Sequence, residues 1–121
     1  MPSISYYKKK SDELFSRYIR ARDKACVRCG KVNGLQCAHI IGRRNHRLRY
    51  DPQNAITLCY ACHIHFAHKE PIAFTRWLEE TRPEQLQYLE EHQNEIERRK
   101  LLDYKELCDE LRSMLSSLSN S

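Results

Sequence analysis

Apolar side chains recur at helical spacing near the start of the chain. They form an i, i+4 stripe along one face of a helix. The stripe consists of Leu14, Phe15, Tyr18 and Ile19. Ser11 precedes the acidic residues Asp12 and Glu13, and this order is typical of a helix start because acids stabilise the positive end of the helix dipole. The pattern predicts a helix from Ser11 to about Lys24.

Two short apolar runs in the middle of the chain predict β-strands. The first, LQCAHII, covers residues 35–41 and is closed by Gly42, and the second, AITL, covers residues 55–58. The Asn33-Gly34 pair is a strong tight-turn signal and predicts a hairpin at that position. The polar loop RRNHRLRYDPQN precedes the second run, and CYACH, which follows it, predicts the start of another helix.

Amphipathic helices are predicted for most of the C-terminal half. Pro71 and Pro83 each suit the first position of a helix, where a missing N–H is tolerated. The helix after Pro71 has an apolar face of Phe74, Trp77 and Leu78. The helix after Pro83 has Leu86, Leu89 and Ile96 on one face.

The last predicted helix carries an apolar stripe that allows two interpretations. Asp103 and Glu106 resemble a capping box and predict its start. The stripe contains Tyr104, Leu107, Leu111, Met114 or Leu115, and Leu118, with Cys108 as a small apolar member. Either the C-terminal helices form a hairpin that covers the core, or the stripe binds a second copy of the chain and makes a homodimer.

Length and charge narrow the class of protein. A chain of 121 residues predicts one compact domain,. Residues 1–69 hold 14 Lys and Arg against 4 Asp and Glu, whereas residues 70–121 hold 7 against 12. The basic half indicates a polyanionic partner, most simply nucleic acid. The N-terminus lacks the apolar segment of a secretory signal and no run is long enough for a membrane span, so we expect a soluble, cytoplasmic protein.

The six cysteines indicate a metal site rather than disulfides, because thiols stay reduced in the cytoplasm,. Four of them form two C-x-x-C pairs, Cys26 with Cys29 and Cys59 with Cys62. A two-residue gap lets both thiolates turn towards one ion, and two such pairs complete a tetrahedron. We therefore predict a structural Zn²⁺ with no open position for water.

The segment around these cysteine pairs resembles a nuclease motif. In CVRCG…CAHIIGRRNH…DPQNAITLCYACH, His39 falls on a strand, Asn54 just before the next strand and His63 at the start of a helix. This layout is similar to the HNH, or ββα-metal, endonuclease superfamily in a zinc-stapled form. The stretch LFSRYIRARD extends the resemblance to phage recombination nucleases of the NinG (Rap) type. Two positions depart from that group: Gln36 stands where it has an aspartate, and His63 where it has an asparagine.

The resemblance implies an α+β fold with a small ββα-metal core. A basic arm and N-terminal helix would occupy residues 1–25, the zinc-bound nuclease core residues 26–82, and a C-terminal helical extension residues 83–121. The implied activity is metal-dependent hydrolysis of phosphodiester bonds in DNA. We expect the enzyme to act in phage recombination or DNA processing inside the bacterial host, with a preference for branched or junction-containing DNA.

As the resemblance implies, three residues would carry this chemistry. His39 would be the general base that takes a proton from water, since a histidine titrates near neutral pH. Asn54 would brace the loop or assist at the metal, and thereby fix the geometry of His39. His63 would hold a catalytic divalent ion, Mg²⁺ or Mn²⁺, and the two imidazoles would converge on one pocket.

The sequence leaves the remaining ligands of that catalytic ion open, because His65 and His68 could equally be plain surface histidines. Ala38 stands where many HNH sites have a metal ligand directly before the base. His68 is the first candidate to replace it, with His65 next and Asp51 as a third. On an α-helix His65 and His68 share a face and His63 lies away from it, so only a bend would let all three bind one ion.

Basic residues beside the predicted base are candidates for binding the DNA backbone, because guanidinium groups bind phosphate bidentately. They are Arg43, Arg44, Arg47 and Arg49, with Lys8, Lys9 and Lys10 as a further arm. Two other functions remain open at this point. One is a zinc-dependent DNA-binding module without catalysis, and the other is an adaptor that binds proteins through the acidic C-terminal half.

Overall fold

The computed structural model describes residues 2–119 as an α+β protein with one small two-stranded sheet. The helices and strands, in chain order, are α1 (Ile4–Asp23), β1 (Leu35–His39), a 3₁₀ turn (Pro52–Asn54), β2 (Ala55–Cys59), a π-helical segment (Ala61–His68), α2 (Pro71–Thr81), α3 (Pro83–His92) and α4 (Leu101–Ser119). Every helix among these residues is too short or too polar to cross a lipid bilayer.

Helix α1 begins earlier than its sequence pattern predicted. The Ser3 side chain accepts a hydrogen bond from the Tyr6 backbone N–H at 3.3 Å, so Ser3 rather than Ser11 caps the helix. The helix includes Lys8–Lys10, which are therefore part of a rigid element and not of a separate arm. It ends as predicted, with Lys24 in the left-handed conformation at φ 66°.

Strands β1 and β2 pair antiparallel, with Leu35 opposite Cys59 and His39 opposite Ala55. Gly34 adopts φ +63° in the turn predicted from Asn33-Gly34. No strand precedes this turn within residues 2–119, so the hairpin predicted there is wrong. The two paired strands are instead joined by the long polar loop, which has a 3₁₀ turn at its end.

One face of the sheet packs against α1, which in turn packs against α4. The buried cluster on this side consists of Leu14, Phe15, Ile19, Tyr50, Ala55, Tyr104, Cys108 and Leu111. Its polar contacts are also paired: the Thr57 hydroxyl donates to the Ile19 carbonyl at 3.1 Å. Helix α1 thus packs against the sheet on one side and against α4 on another.

The opposite face of the sheet packs against the cysteine pairs, the π-helical segment and α2. This second cluster consists of Cys26, Ala38, Ile56, Leu58, Cys59, Cys62, Ala67 and Leu78. All five residues of β2 are buried, because each side chain meets one of the two clusters. Strand β2 is therefore the centre of the fold.

The C-terminal helices begin largely where the sequence predicted. Pro71 and Pro83 occupy the first turns of α2 and α3. Helix α3 ends at His92, and Ile96 is 81% exposed, so its predicted place on that helix's apolar face is wrong. At the start of α4 the Asp103 carboxylate accepts the Lys100 N–H at 2.7 Å, which places the cap three residues before the predicted one.

The apolar stripe of α4 is used within the chain. Tyr104, Cys108 and Leu111 are buried against α1, and the Cys108 thiol lies 3.2 Å from the Ser11 hydroxyl. This confirms Cys108 as a small core residue and shows that α4 covers the core. The predicted hairpin is not formed, because α3 packs against α2 and the 3₁₀ turn rather than against α4. A homodimer through the C-terminal helices stays a prediction.

Truncating one leucine of this stripe is expected to destabilise the fold. Leu111 is 2% exposed, so Leu111→Ala leaves a cavity between α1 and α4 and should lower the free energy of unfolding by about 2–5 kcal/mol. Urea denaturation followed by circular dichroism measures the loss. Leu102→Ala on the same helix is the matched control, because Leu102 is 62% exposed; equal losses in both variants would contradict the packing.

Candidate functional site

The four paired cysteines form a cluster with the geometry of a tetrahedral metal site. Their Sγ atoms all lie within 4.8 Å of one another, and Cys29 Sγ lies 3.6 Å from Cys59 Sγ. Zinc–sulfur bonds of 2.3 Å arranged as a tetrahedron separate the sulfurs by about 3.8 Å. The donor set therefore fits Zn²⁺, as the spacing predicted.

Local backbone bonds bring the two cysteine pairs together. The Cys26 N–H donates to the Lys31 carbonyl at 2.8 Å, and the Gly30 N–H donates to the Cys26 carbonyl at 2.8 Å. Gly30 accommodates this turn at φ +82°, which favours glycine,. The Val27 N–H then donates to the Thr57 carbonyl at 3.0 Å, so the first pair is hydrogen-bonded to the strand that carries the second.

Arg28 lies against the thiolates. Its Nη1 donates to Cys62 Sγ at 3.3 Å, and its guanidinium stacks 3.6 Å above the Phe66 ring centroid. Four thiolates around one divalent ion carry net negative charge, which this cation partly neutralises. The basic residue between the first two cysteines is therefore part of the metal site.

His39 is partly buried at the end of β1 and is held on two sides. Its ring stacks on Phe15 with centroids 5.5 Å apart, and its Nε2 lies 2.8 Å from the Arg49 carbonyl oxygen. Because a carbonyl only accepts, Nε2 carries the proton of the neutral ring and Nδ1 carries the lone pair. Burial lowers the pKa of His39 below its usual value, which favours this neutral form.

The Nδ1 atom of His39 has no hydrogen-bond partner among residues 2–119. No buried side-chain nitrogen or oxygen in this part of the chain lacks a partner. Nδ1 is therefore unpartnered but not fully buried. The arrangement leaves a neutral imidazole with one ring nitrogen free to accept a hydrogen bond.

The carbonyl that orients His39 is itself anchored to α1. Asp12 accepts two hydrogen bonds from Arg49, at 3.0 Å from Nε and 2.7 Å from Nη2. Burial raises the pKa of Asp12, but hydrogen bonds from Arg49 and Tyr50 outweigh it and leave the pKa below its usual value. The carboxylate stays ionised and the bidentate pair fixes Arg49 against α1.

Asn54 closes the loop that contains these residues. Its Oδ1 accepts the Ile41 N–H at 2.7 Å, and its Nδ2 donates to the Ile41 and Leu48 carbonyls at 2.8 and 3.1 Å. The side chain is fully buried and touches both ends of the loop. Its observed contacts are those of the predicted loop brace, whereas its part in a reaction stays a prediction.

The C-terminal extension holds the outer side of the same loop. Arg47 donates to Glu95 at 2.8 Å and to Asp51 at 2.9 Å. Arg99 donates to the His46 carbonyl at 2.7 Å. The loop is thus attached to α1 on one side and to the segment after α3 on the other.

His39 lines a cleft of about 540 Å³ between α1 and β1. The lining residues are Asp12, Glu13, Phe15, Ser16, Arg17, Arg20, Cys37, His39 and Arg43. Arg17 and Arg20 were not predicted as site residues from the sequence. The sequence shows only that they lie on α1 outside its apolar stripe. It does not indicate which element faces them across the cleft.

His63 and His68 are brought together by the π-helical segment. Their ring centroids lie 4.5 Å apart, because i and i+5 residues share a face in a helix with i→i+5 bonding. His65 instead packs edge-on against Tyr60, with centroids 5.4 Å apart. The predicted α-helical geometry, in which His65 and His68 share a face, is therefore wrong. Asp51 is occupied elsewhere, by Arg47.

Gln36 positions the first of these imidazoles. His63 Nδ1 lies 2.8 Å from Gln36 Oε1, so Nδ1 donates and Nε2 is left as the ligand nitrogen. Burial lowers the pKa of His63, with a smaller contribution from His68. The two positions that depart from the NinG-type pattern are thus in contact with each other.

Of the two predicted imidazoles, only His39 lines the cleft beside α1. His39 and Cys37 lie on the strand face that meets α1, whereas Gln36, which contacts His63, lies three residues from His39 and so on the other face,. Convergence of the two imidazoles on one pocket therefore stays a prediction. The two rings remain near enough for the charge of His39 to lower the pKa of His63.

The four predicted phosphate-binding arginines have different surroundings. Arg47 and Arg49 form internal ion pairs, with side chains 24% and 13% exposed. Arg43 shares Asp12 at 2.8 Å but is 55% exposed, and Arg44 is exposed. Arg43 and Arg44 are therefore the accessible members, while Lys10 lies 3.8 Å from Glu13 on α1.

Zinc content should depend on the clustered cysteines only. Wild-type protein is expected to contain about one zinc ion per chain, and Cys59→Ser should lose it because a buried thiolate ligand is removed. Cys37→Ser is the matched control, since Cys37 lies outside the cluster. Metal analysis by mass spectrometry measures both, and equal zinc loss in the control would contradict the four-cysteine site.

Acidification is expected to destabilise the fold through His39. Its pKa is lowered from 6.5 in the folded state, so the unfolded chain takes up the proton first and the free energy of unfolding falls as the pH drops below 6.5. Urea titrations at about pH 7.5 and about pH 5.5 measure this decrease. The free energy of unfolding should fall less between these pH values in His39→Gln than in His46→Gln. Equal decreases in the two variants would contradict the prediction.

No protein-family model, curated protein or solved structure matches this chain. A function is therefore inferred from the geometry and chemistry of the side chains.

Proposed function

We propose that this chain is a metal-dependent DNA endonuclease of the HNH type, with His39 as its general base. The observation that carries the proposal is the hydrogen bond of His39 Nε2 to the Arg49 carbonyl. It fixes the tautomer in which Nδ1 carries the lone pair, and His39 lines a cleft together with three arginines. This combination of a neutral base and guanidinium groups suits hydrolysis of a phosphodiester.

In the proposed reaction His39 Nδ1 takes a proton from a water molecule in the cleft. The water oxygen bonds to phosphorus, and the bond from phosphorus to the 3′ oxygen breaks. The departing oxygen takes a proton from solvent, so the products carry a 5′-phosphate and a 3′-hydroxyl. Arg43, Arg17 and Arg20 bind the non-reacting phosphate oxygens and stabilise their charge.

The positions of Asp12 and Asn54 support this role for His39. Asp12 holds the side chain of Arg49, whose carbonyl orients the imidazole. Asn54 ties Ile41 to Leu48 across the loop. Preorganisation of this kind lowers the entropy cost of reaching the reactive geometry. A histidine with no function would not require such a network of hydrogen bonds.

His63 and His68 are the residues that would hold the catalytic cation, which when bound stabilises charge on the phosphate and the leaving oxygen. Two imidazoles 4.5 Å apart suit Zn²⁺, Ni²⁺ or Fe²⁺,. Mg²⁺ prefers carboxylate and other oxygen ligands. The two imidazoles therefore favour a transition metal over Mg²⁺. Among residues 2–119 only the four cysteines form a cluster of three or more possible metal ligands.

The biological setting is proposed from the resemblance to NinG-type nucleases alone. It comprises branched or junction-containing DNA as the substrate and phage recombination or DNA processing as the process. The absence of an obvious base-reading helix in the sequence is consistent with recognition of DNA shape rather than of a long specific site.

A zinc-dependent DNA-binding module without catalysis is the second candidate. The different contacts of the two histidines are the observation that favours it: His39 lines the cleft beside α1, whereas His63 contacts Gln36, and a hydrolytic site needs base and cation at one phosphate. The module accounts for the cysteine cluster and for the arginines. It does not account for the buried hydrogen bonds that orient His39.

Cleavage of supercoiled plasmid distinguishes the two candidates. Wild-type protein with Mg²⁺, Mn²⁺, Ni²⁺ or Zn²⁺ is expected to nick or linearise the plasmid, and His39→Ala should lower the rate by about 10²–10⁴-fold because the general base is lost. His65→Ala is the matched control, since it removes an exposed imidazole that contacts neither ring of the site. Plasmid left intact by the wild type with every metal would rule out the endonuclease.

A further inference from the structure

We propose that α1 forms a binding track for the phosphodiester backbone of duplex DNA, continuous with the His39 cleft and extending to α4. The track consists of Arg17 and Arg20, with Lys10 and Arg112 beyond them. It deepens the endonuclease proposal by naming the residues that hold the substrate, and in that respect it rests on that proposal. Binding itself requires no catalysis.

Arg17 and Arg20 are the uncompensated charges of the cleft. Neither forms an ion pair within residues 2–119. Arg20 donates from Nε to the Ser16 carbonyl at 3.2 Å, which leaves both terminal nitrogens available. Arg17 is exposed and has no acid to neutralise it.

The acids in the same cleft are already paired. Asp12 accepts from both Arg43 and Arg49, and Glu13 lies 3.8 Å from Lys10. The remaining potential of the cleft is therefore positive and comes from the α1 arginines. A polyanion is attracted to such a site because its counterions are released on binding.

A second hollow, of about 570 Å³, continues from the first between α1 and α4. Arg17 lines both hollows, and the second also contains Lys10 and Arg112 but no acidic side chain in its lining. Arg112 contacts Asp109 at 3.4 Å with both side chains at least half exposed, a pairing that a phosphate can displace. The positive surface therefore runs along the helix.

The length of this surface fits a nucleic-acid backbone better than a small anion. Lys10 and Arg17 are seven residues apart on one helix, or about 10 Å at 1.5 Å per residue. That length equals the rise of about three base pairs at 3.4 Å each. The track has no aromatic side chain in its second hollow on which unpaired bases would stack,, which favours a duplex.

Fluorescence anisotropy with a labelled random-sequence duplex tests the track, in buffer without added divalent cation or chelator. Arg17→Gln with Arg20→Gln should weaken binding at least tenfold at moderate salt. The slope of log K against log salt should become shallower by about 2, since each phosphate contact contributes about 0.9. Arg112→Gln alone should reduce the slope by about 1, and an unchanged slope would overturn the extension to α4.

A matched pair, Arg98→Gln with Lys105→Gln, removes the same charge from exposed positions in the acidic half. If the Arg17→Gln, Arg20→Gln variant binds duplex with the same affinity as this control variant, the proposal is overturned. The outcome is separate from that of the nuclease test. If the wild-type protein binds duplex through Arg17 and Arg20 but never cuts plasmid, the track is supported and the endonuclease is contradicted. If the Arg17→Gln, Arg20→Gln variant still cuts plasmid at the full rate, the endonuclease is supported and the track is contradicted.

Discussion

The buried side chain of Asn54 is the constraint on which the candidate site depends. Its three hydrogen bonds close the loop between the strands, and leaving such a group unpaired costs about 1–3 kcal/mol. The same closure sets where Arg49 presents its carbonyl to His39. Strand register and imidazole orientation are therefore coupled through one amide.

Local physics explains which parts of this structure could be predicted from the sequence. Metal-ligand spacing is a short-range property, so the two C-x-x-C pairs predicted the cysteine cluster. Pro71 and Pro83 predicted helix starts because proline restricts its own backbone,. The stripe of α4 indicated burial, although the pattern alone did not say whether α1 or a second chain would cover it.

The parts that could not be predicted depend on tertiary context. A π-helical segment is rare, and nothing in ACHIHFAH distinguishes it from an α-helix, yet it decides that His68 rather than His65 meets His63. Loop arginines all look alike in sequence, but Arg47 pairs with Glu95 after α3 and Arg49 pairs with Asp12 on α1. Strand alternation places Gln36 and His39 on opposite faces of β1. This matters for the site only because the structure shows that His63 contacts Gln36, which the sequence does not indicate.

The contact between α1 and α4 also has a consequence for the order of folding. Leu14 and Phe15 share a cluster with Leu111, and Ser11 and Cys108, which meet beside it, are 97 positions apart in the sequence. Bringing such distant segments together costs loop-closure entropy that local contacts do not cost. We therefore expect the two helices to pair late in folding, after the local turns and the C-x-x-C turns have formed.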